Sequence, residues 1–145
     1  MYRTIVASKV RSTFVGLSAG NPDALLDQLA PVFEYDFRGA HALGGSRTSL
    51  DAMRRWFDRV YDLFPAIRFD VEEVVVKGPP WRTVVITHVH VRADGYVNEM
   101  FQKLDLRWGK LHRIETLENL EVLAAFLDAA ALSGDTEAHR RPITD

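Results

Sequence analysis

The change of hydrophobic period at Pro65 constrains this chain more than any other feature. Beyond it, apolar residues recur at every second position in four runs, Ile67–Lys77, Thr83–Arg92, Tyr96–Arg107 and Lys110–Leu117. The links between them are Gly78-Pro79-Pro80 with its neighbours, Asp94-Gly95 and Trp108-Gly109. Connections this short join only antiparallel neighbours, so the second half of the chain must form a four-strand meander. Strands of ten or so residues twist strongly, which makes the sheet curved rather than flat.

Ahead of Pro65 the period is helical. Thr4 to Ser18 places Ile5, Val6, Val10, Thr13, Phe14 and Leu17 at helical spacing, and Gly20 ends it. In "NPDALLDQLAP", Asn21 reads as a cap, Pro22 as the first helical residue and Pro31 as the stop. Val32 to Phe37 reads as a short strand. Thr48 or Ser49 then caps the strongest helix, Leu50 to Phe64, with Leu50, Met53, Trp56, Phe57, Val60, Tyr61 and Phe64 on its apolar face. Arg54, Arg55, Asp58, Arg59 and Asp62 cover its other side. A last helix is expected over Glu118–Leu132, and residues 135–145, with no apolar pattern, as a loose tail. The expected fold class is α+β, a single domain over residues 1–134. A cone-shaped, curved antiparallel sheet wraps around the N-terminal helices and leaves an apolar cavity open at one end.

The 145 residues suffice for one core, and 47% apolar with 26% charged residues is ordinary for a globular protein. A formal charge of −2 supplies no field for nucleic acid or an acidic membrane. No cysteine is present, which removes thiolate nucleophiles and cysteine metal sites and fits a cytoplasmic location. No apolar run approaches the roughly 18 residues of a membrane span.

A two-residue turn at Asp94-Gly95 pairs Val91 with Asn98, Val89 with Met100, Thr87 with Gln102 and Val85 with Leu104. These residues form the core face, on which Thr87, Asn98 and Gln102 are the unexpected polar members. A three-residue loop around Gly109 keeps the next strand in phase, bringing Ile114 beside Gln102 and Thr116 beside Met100; a two-residue loop reverses the faces. His88-Val-His90 has the alternate-residue spacing of a zinc-binding strand, with His112 as a third donor. On this register His88 and His90 lie on the outer face with Phe101, and His112 lies on the inner one. No metal is therefore expected; the outer face reads as the surface of a homodimer.

The order of elements, "DLFP", "DGYVNEMFQKLDLRWGKLHRIETLEN" and the turn Tyr35-Asp36-Phe37-Arg38-Gly39-Ala40-His41-Ala42-Leu43-Gly44-Gly45 together resemble the nuclear transport factor 2-like superfamily. The resemblance is to its branch of SnoaL-like polyketide cyclases and ketosteroid isomerase-like proteins. It implies a small-molecule fold without a cofactor. By its pattern Asp36, in Asp36-Phe37-Arg38-Gly39, takes the place of the isomerases' general base. Their tyrosine and aspartic acid donors fall near Phe14 and Gln102, and the family's closing Tyr-x-Asp stands as Leu117-Glu118-Asn119.

The expected site thus has Asp36 and His41 as catalytic residues at the mouth of the cavity, and Thr87, Asn98, Met100, Gln102, Thr116 and Trp56 as binding residues. A carboxylate there would lose solvation and serve as a base toward a carbon-bound proton. The expected function is acid–base chemistry on a hydrophobic, carbonyl-bearing, ring-like compound, of cyclase, isomerase or dehydratase type. The alternative is a non-catalytic dimeric domain that binds an apolar small molecule. Asp36 as a turn residue, His41 as a structural tie and Glu118 as a first-turn helix carboxylate or a pocket-mouth acid stay open at this point.

Overall fold

A computed structural model describes residues 1–145. Helix α1 spans Tyr2–Ser18 and α2 is a single turn, Asp23–Leu26. Strands β1 (Leu29–Phe37) and β2 (Gly45–Arg47) precede helix α3 (Leu50–Leu63). The meander follows as β3 (Arg68–Lys77), β4 (Thr83–Ala93), β5 (Tyr96–Arg107) and β6 (Lys110–Glu118), and α4 (Leu120–Leu132) closes the order. The six strands make one sheet, β2-β1-β6-β5-β4-β3, in which only β1 and β6 run parallel. No helix is long and apolar enough to cross a membrane.

The β4–β5 register is the one the Asp94-Gly95 turn requires, from Ala93 opposite Tyr96 to Val85 opposite Leu104. The β5–β6 hairpin differs from expectation. Its turn is the two residues Trp108 and Gly109, both at positive φ. An extra residue, His112, is inserted between the pairs Leu106–Leu111 and Asp105–Arg113. This bulge, rather than a longer loop, keeps the face. Ile114 therefore stands opposite Leu104 and Thr116 opposite Gln102, one pair further on than expected, and Glu118 faces Met100.

Four other expectations are corrected. Pro31 does not end a helix; it lies inside β1, where the parallel register shifts between Leu29 and Glu34 and the missing N–H costs no ladder bond. Asn119, not Glu118, begins the last helix, its Oδ1 accepting from the amides of Glu121 and Val122 at 3.1 and 3.4 Å. Residues 135–145 are not loose. Ala138 is fully buried, Arg59 donates to Glu137 and to the Arg141 carbonyl, each at 2.8 Å, and Thr48 donates to Asp145. Arg59 is for that reason buried, although the helical pattern places it toward solvent. Ser49 caps α3, accepting from the Ala52 amide at 3.2 Å.

The core fills the concave side of the sheet. Helix α1 contributes Val6, Val10, Phe14 and Leu17, and α3 contributes Met53, Trp56, Phe57 and Val60. Against them stand the inward residues of β1, β4, β5 and β6. The edge strands β2 and β3 do not pair, so the sheet is an open cone.

Candidate active site in the cone

Strand alternation decides which polar groups can meet a ligand. On β1 the aromatic residues Phe33, Tyr35 and Phe37 point inward, which turns Glu34 and Asp36 outward. Asp36 lies 3.3 Å from Arg38 Nε and 3.9 Å from Arg113 Nη2. Arg38 also binds Glu115 at 2.7 Å, and Arg113 donates to Glu34 at 2.6 Å. Asp36 is thus one member of a surface network of three carboxylates and two arginines. It does not line the cavity, contrary to the sequence expectation.

His41 is likewise structural. Its Nδ1 accepts from the Leu43 amide at 3.2 Å, which leaves Nε2–H to donate to the Arg38 carbonyl at 2.8 Å. Burial holds its pKa below the usual imidazole value, against the Arg38 carbonyl bond. Both nitrogens are committed to shaping the turn. That turn directs its carbonyls at helix α3 and β2: Trp56 Nε1 donates to Leu43 at 2.9 Å, Arg59 to Ala42 at 2.8 Å, and Arg47 to Leu43, Gly44 and Gly45. A Cβ at Gly44 would sit 2.2 Å from the Gly39 carbonyl oxygen, so the backbone closes on itself there. The carbonyls of residues 42–45 thus brace helix α3 and β2, while Tyr35, Phe37 and Leu43 from the same stretch face the cavity.

Inside the cone lies a cavity of about 280 Å³, lined by 29 residues of which 23 are hydrophobic, near the lower end of small-molecule sites. Trp56, Met100 and Gln102 line it as expected; Thr87, Asn98 and Thr116 face inward behind that lining. Thr87 Oγ1 is buried without a hydrogen-bond partner.

Two polar chains reach the cavity. In the first, Asn98 Nδ2 donates to Tyr96 Oη at 2.6 Å, and Tyr96 donates to Glu118 Oε1 at 2.9 Å. Asn98 is fixed in turn by the Asn119 carbonyl and the Glu99 amide, and Tyr96 packs against Phe64 and Phe126. Glu118 lines the cavity at 8% exposure, and its second oxygen takes no protein donor. Loss of hydration pushes its pKa up to about 7, partly opposed by the Tyr96 bond.

In the second chain Gln102 Nε2 donates to Thr116 Oγ1 at 3.0 Å, and Thr116 donates to Tyr35 Oη at 3.2 Å. The Tyr35 hydroxyl proton has no protein acceptor, so it is available to a ligand. Burial raises the Tyr35 pKa to about 12, which keeps the phenol protonated. Its ring is held 4.9 Å from Trp56, with the Arg47 guanidinium 5.5 Å from its centroid. Thr116 and Glu118 are two residues apart on one face of β6, roughly 7 Å along the strand. One cavity therefore offers a carboxyl that titrates near neutrality and a phenol donor. Tyr35 and Tyr96 were missed in the sequence because aromatic residues at inward positions read only as core. Of the two readings the sequence leaves for Glu118, the pocket acid is the one its parity with Ile114 and Thr116 supports.

Similar solved structures share this cone. PrhC from Penicillium brasilianum is 12% identical with a TM-score of 0.76, covering 95% of this chain and 95% of that one. TerC, co-crystallised with polyporic acid, is 16% identical with a TM-score of 0.68, covering 84% of this chain and 97% of that one. A protein assigned to the polyketide cyclases from Xanthomonas campestris is 21% identical with a TM-score of 0.60, covering 83% and 95% respectively. No curated protein matches the chain. An NTF2-like protein from Burkholderia xenovorans, 16% identical with a TM-score of 0.61, has the same fold. The SnoaL-like domain model matches residues 10–115, most of the chain, and the chain belongs to the SnoaL-like domain family.

Proposed function

We propose that the protein is a cofactor-independent enzyme that moves a proton on a hydrophobic, carbonyl-bearing, ring-like substrate held in the cone. The observation that carries this reading is Glu118: a carboxyl in an apolar cavity, anchored through one oxygen and open through the other. As carboxylate it takes a proton from the carbon next to a substrate carbonyl, and the electron pair moves onto the carbonyl oxygen. Tyr35 donates its hydrogen bond to that oxygen, backed by Thr116 and Gln102. The protonated Glu118 then returns the proton to a different carbon, which migrates a double bond. Alternatively the enolate carbon attacks a second carbonyl, and Glu118 protonates the new alkoxide, which closes a ring. TerC, a protein of the same fold, was co-crystallised with polyporic acid, which supports a small organic molecule as the occupant of the cone.

The test is exchange of α-protons for deuterium in a panel of cyclic ketones and β-diketones, followed by proton NMR. The protein is expected to catalyse exchange in at least one; no exchange in any, despite saturable binding, would support a binding domain instead. Within the active pair, Tyr35→Phe is expected to slow exchange about 100-fold by removing the donor while leaving binding within a few-fold. Asp36→Asn is expected to leave exchange within about two-fold, because it alters only a surface pair worth about 0–1 kcal/mol. Loss of activity in Asp36→Asn would return the base to the outer face.

A homodimer through the outer sheet face is also proposed. Val75 and Ile86 are paired across β3 and β4, and Phe101 and Leu117 across β5 and β6; all four are exposed on this face. Light scattering should give twice the chain mass, and Phe101→Glu should halve it; a monomer at micromolar concentration contradicts the proposal.

A further inference from the structure

We propose that the outer face of the sheet holds a divalent transition-metal ion of the zinc class, bound by His88, His90, Glu72 and Glu99. Sequence spacing presents only the two histidines of β4 and points to His112 for a third donor. The structure supplies different partners from the strands on either side. The register of β3 shifts between Val71, opposite Val89, and Glu73, opposite His88. Glu72 is the extra residue, and its carboxylate reaches both imidazoles: Oε2 lies 3.1 Å from His88 Nδ1 and 2.5 Å from His90 Nε2. From β5, Glu99 stands opposite His90 and places Oε1 3.0 Å from His88 Nε2 and 4.0 Å from His90 Nδ1. One donor atom from each of the four residues lies within 4.8 Å of the other three.

Zinc–nitrogen and zinc–oxygen bonds of roughly 2.0–2.2 Å put tetrahedral ligand atoms roughly 3.3–3.5 Å apart, so small rotations of these side chains enclose an ion. The charges favour one. Neither Glu72 nor Glu99 has a lysine or arginine partner, and the nearby Arg92 is taken by Asp70 at 2.6 Å. With neutral imidazoles the group carries two negative charges and no fixed cation. Two imidazoles with two carboxylates suit zinc, cobalt or nickel and not magnesium, which prefers an all-oxygen shell. The site is partly ordered without the ion. Phe101 stacks on the His88 ring at 4.4 Å with planes 7° apart, and the carboxylates already hold the imidazoles in place. All four donors come from one chain, so binding does not require a second copy.

The experiment is calorimetric titration of the chelator-treated full chain with zinc chloride. One ion per chain is expected, at about micromolar Kd or tighter. His88→Asn and His90→Asn should each weaken binding about 10–100-fold, whereas His139→Asn should not change it. In the unaltered protein, zinc should shift the imidazole NMR signals of His88 and His90 and leave those of His41 and His139 in place. This readout holds even if a variant fails to fold. No saturable binding up to about 1 mM, equal binding of magnesium, or shifts confined to other histidines would overturn the proposal.

Discussion

Glu118→Gln is expected to reduce α-proton exchange by about 10²–10⁴-fold while ligand binding and the fold survive. Glutamine keeps an oxygen to accept the Tyr96 hydroxyl and nearly the same volume, so the variant removes the proton carrier and little else. A variant that retains exchange within a few-fold would remove Glu118 from the chemistry whatever its burial. The same substitution has a second consequence, in stability. Burial raises the folded-state pKa of Glu118 from 4.5 to about 7, whereas the unfolded chain keeps the ordinary value. Below pH 4.5 the carboxyl is protonated in both states and its burial carries no charge penalty. As pH rises the unfolded chain releases the proton first, so stability falls across the window and the loss is complete above about pH 7. The difference corresponds to about 3 kcal/mol. Glutamine does not titrate. Urea unfolding at pH 4 and pH 8 should therefore show the variant gaining about that much relative to the wild type at the higher pH. An unchanged difference between the two proteins would mean that Glu118 is hydrated.

Arg47→Met is expected to cost about 3–5 kcal/mol of folding stability, the largest effect of any single substitution outside the apolar core. Arg47 is fully buried and forms no salt bridge with a carboxylate. Its charge is met instead by the carbonyls of Leu43, Gly44 and Gly45 and by the faces of Tyr35 and Trp56, each about 5.5 Å away. Methionine fills most of the volume but leaves the carbonyls without a donor. Because those carbonyls set the turn over the cavity, the Tyr35 ring should also lose its fixed position. Denaturant unfolding followed by tryptophan fluorescence reads the loss through Trp56; a cost under about 1 kcal/mol would mean that water replaces the guanidinium.

The meander was legible because three signals agreed there: period-two alternation, short turns and a two-residue hairpin that sets the register. The β5–β6 register was one pair out because the His112 bulge adds a residue without changing the alternation on either side of it. The site was harder to read for a different reason. The resemblance to the isomerases points to Asp36 as the base, but Phe33, Tyr35 and Phe37 alternate with Glu34 and Asp36 and send the acids outward. That parity was readable, and it outweighs position in a motif. Burial of Arg59 was not readable, because the C-terminal segment that covers it has no apolar pattern and docks mainly through carbonyls and charges.

The most direct measurement of the central claim is the ionisation of Glu118 itself. Carbon-13 labelling of glutamate side chains, with Glu118→Gln used to assign the signal, gives the titration of that carboxyl in the folded protein. A midpoint near 7, moving when an apolar cyclic ketone fills the cavity, is the result predicted for a proton carrier in a dry cone. A midpoint at the ordinary 4.5, indifferent to ligand, would contradict the account and leave the cavity without a base.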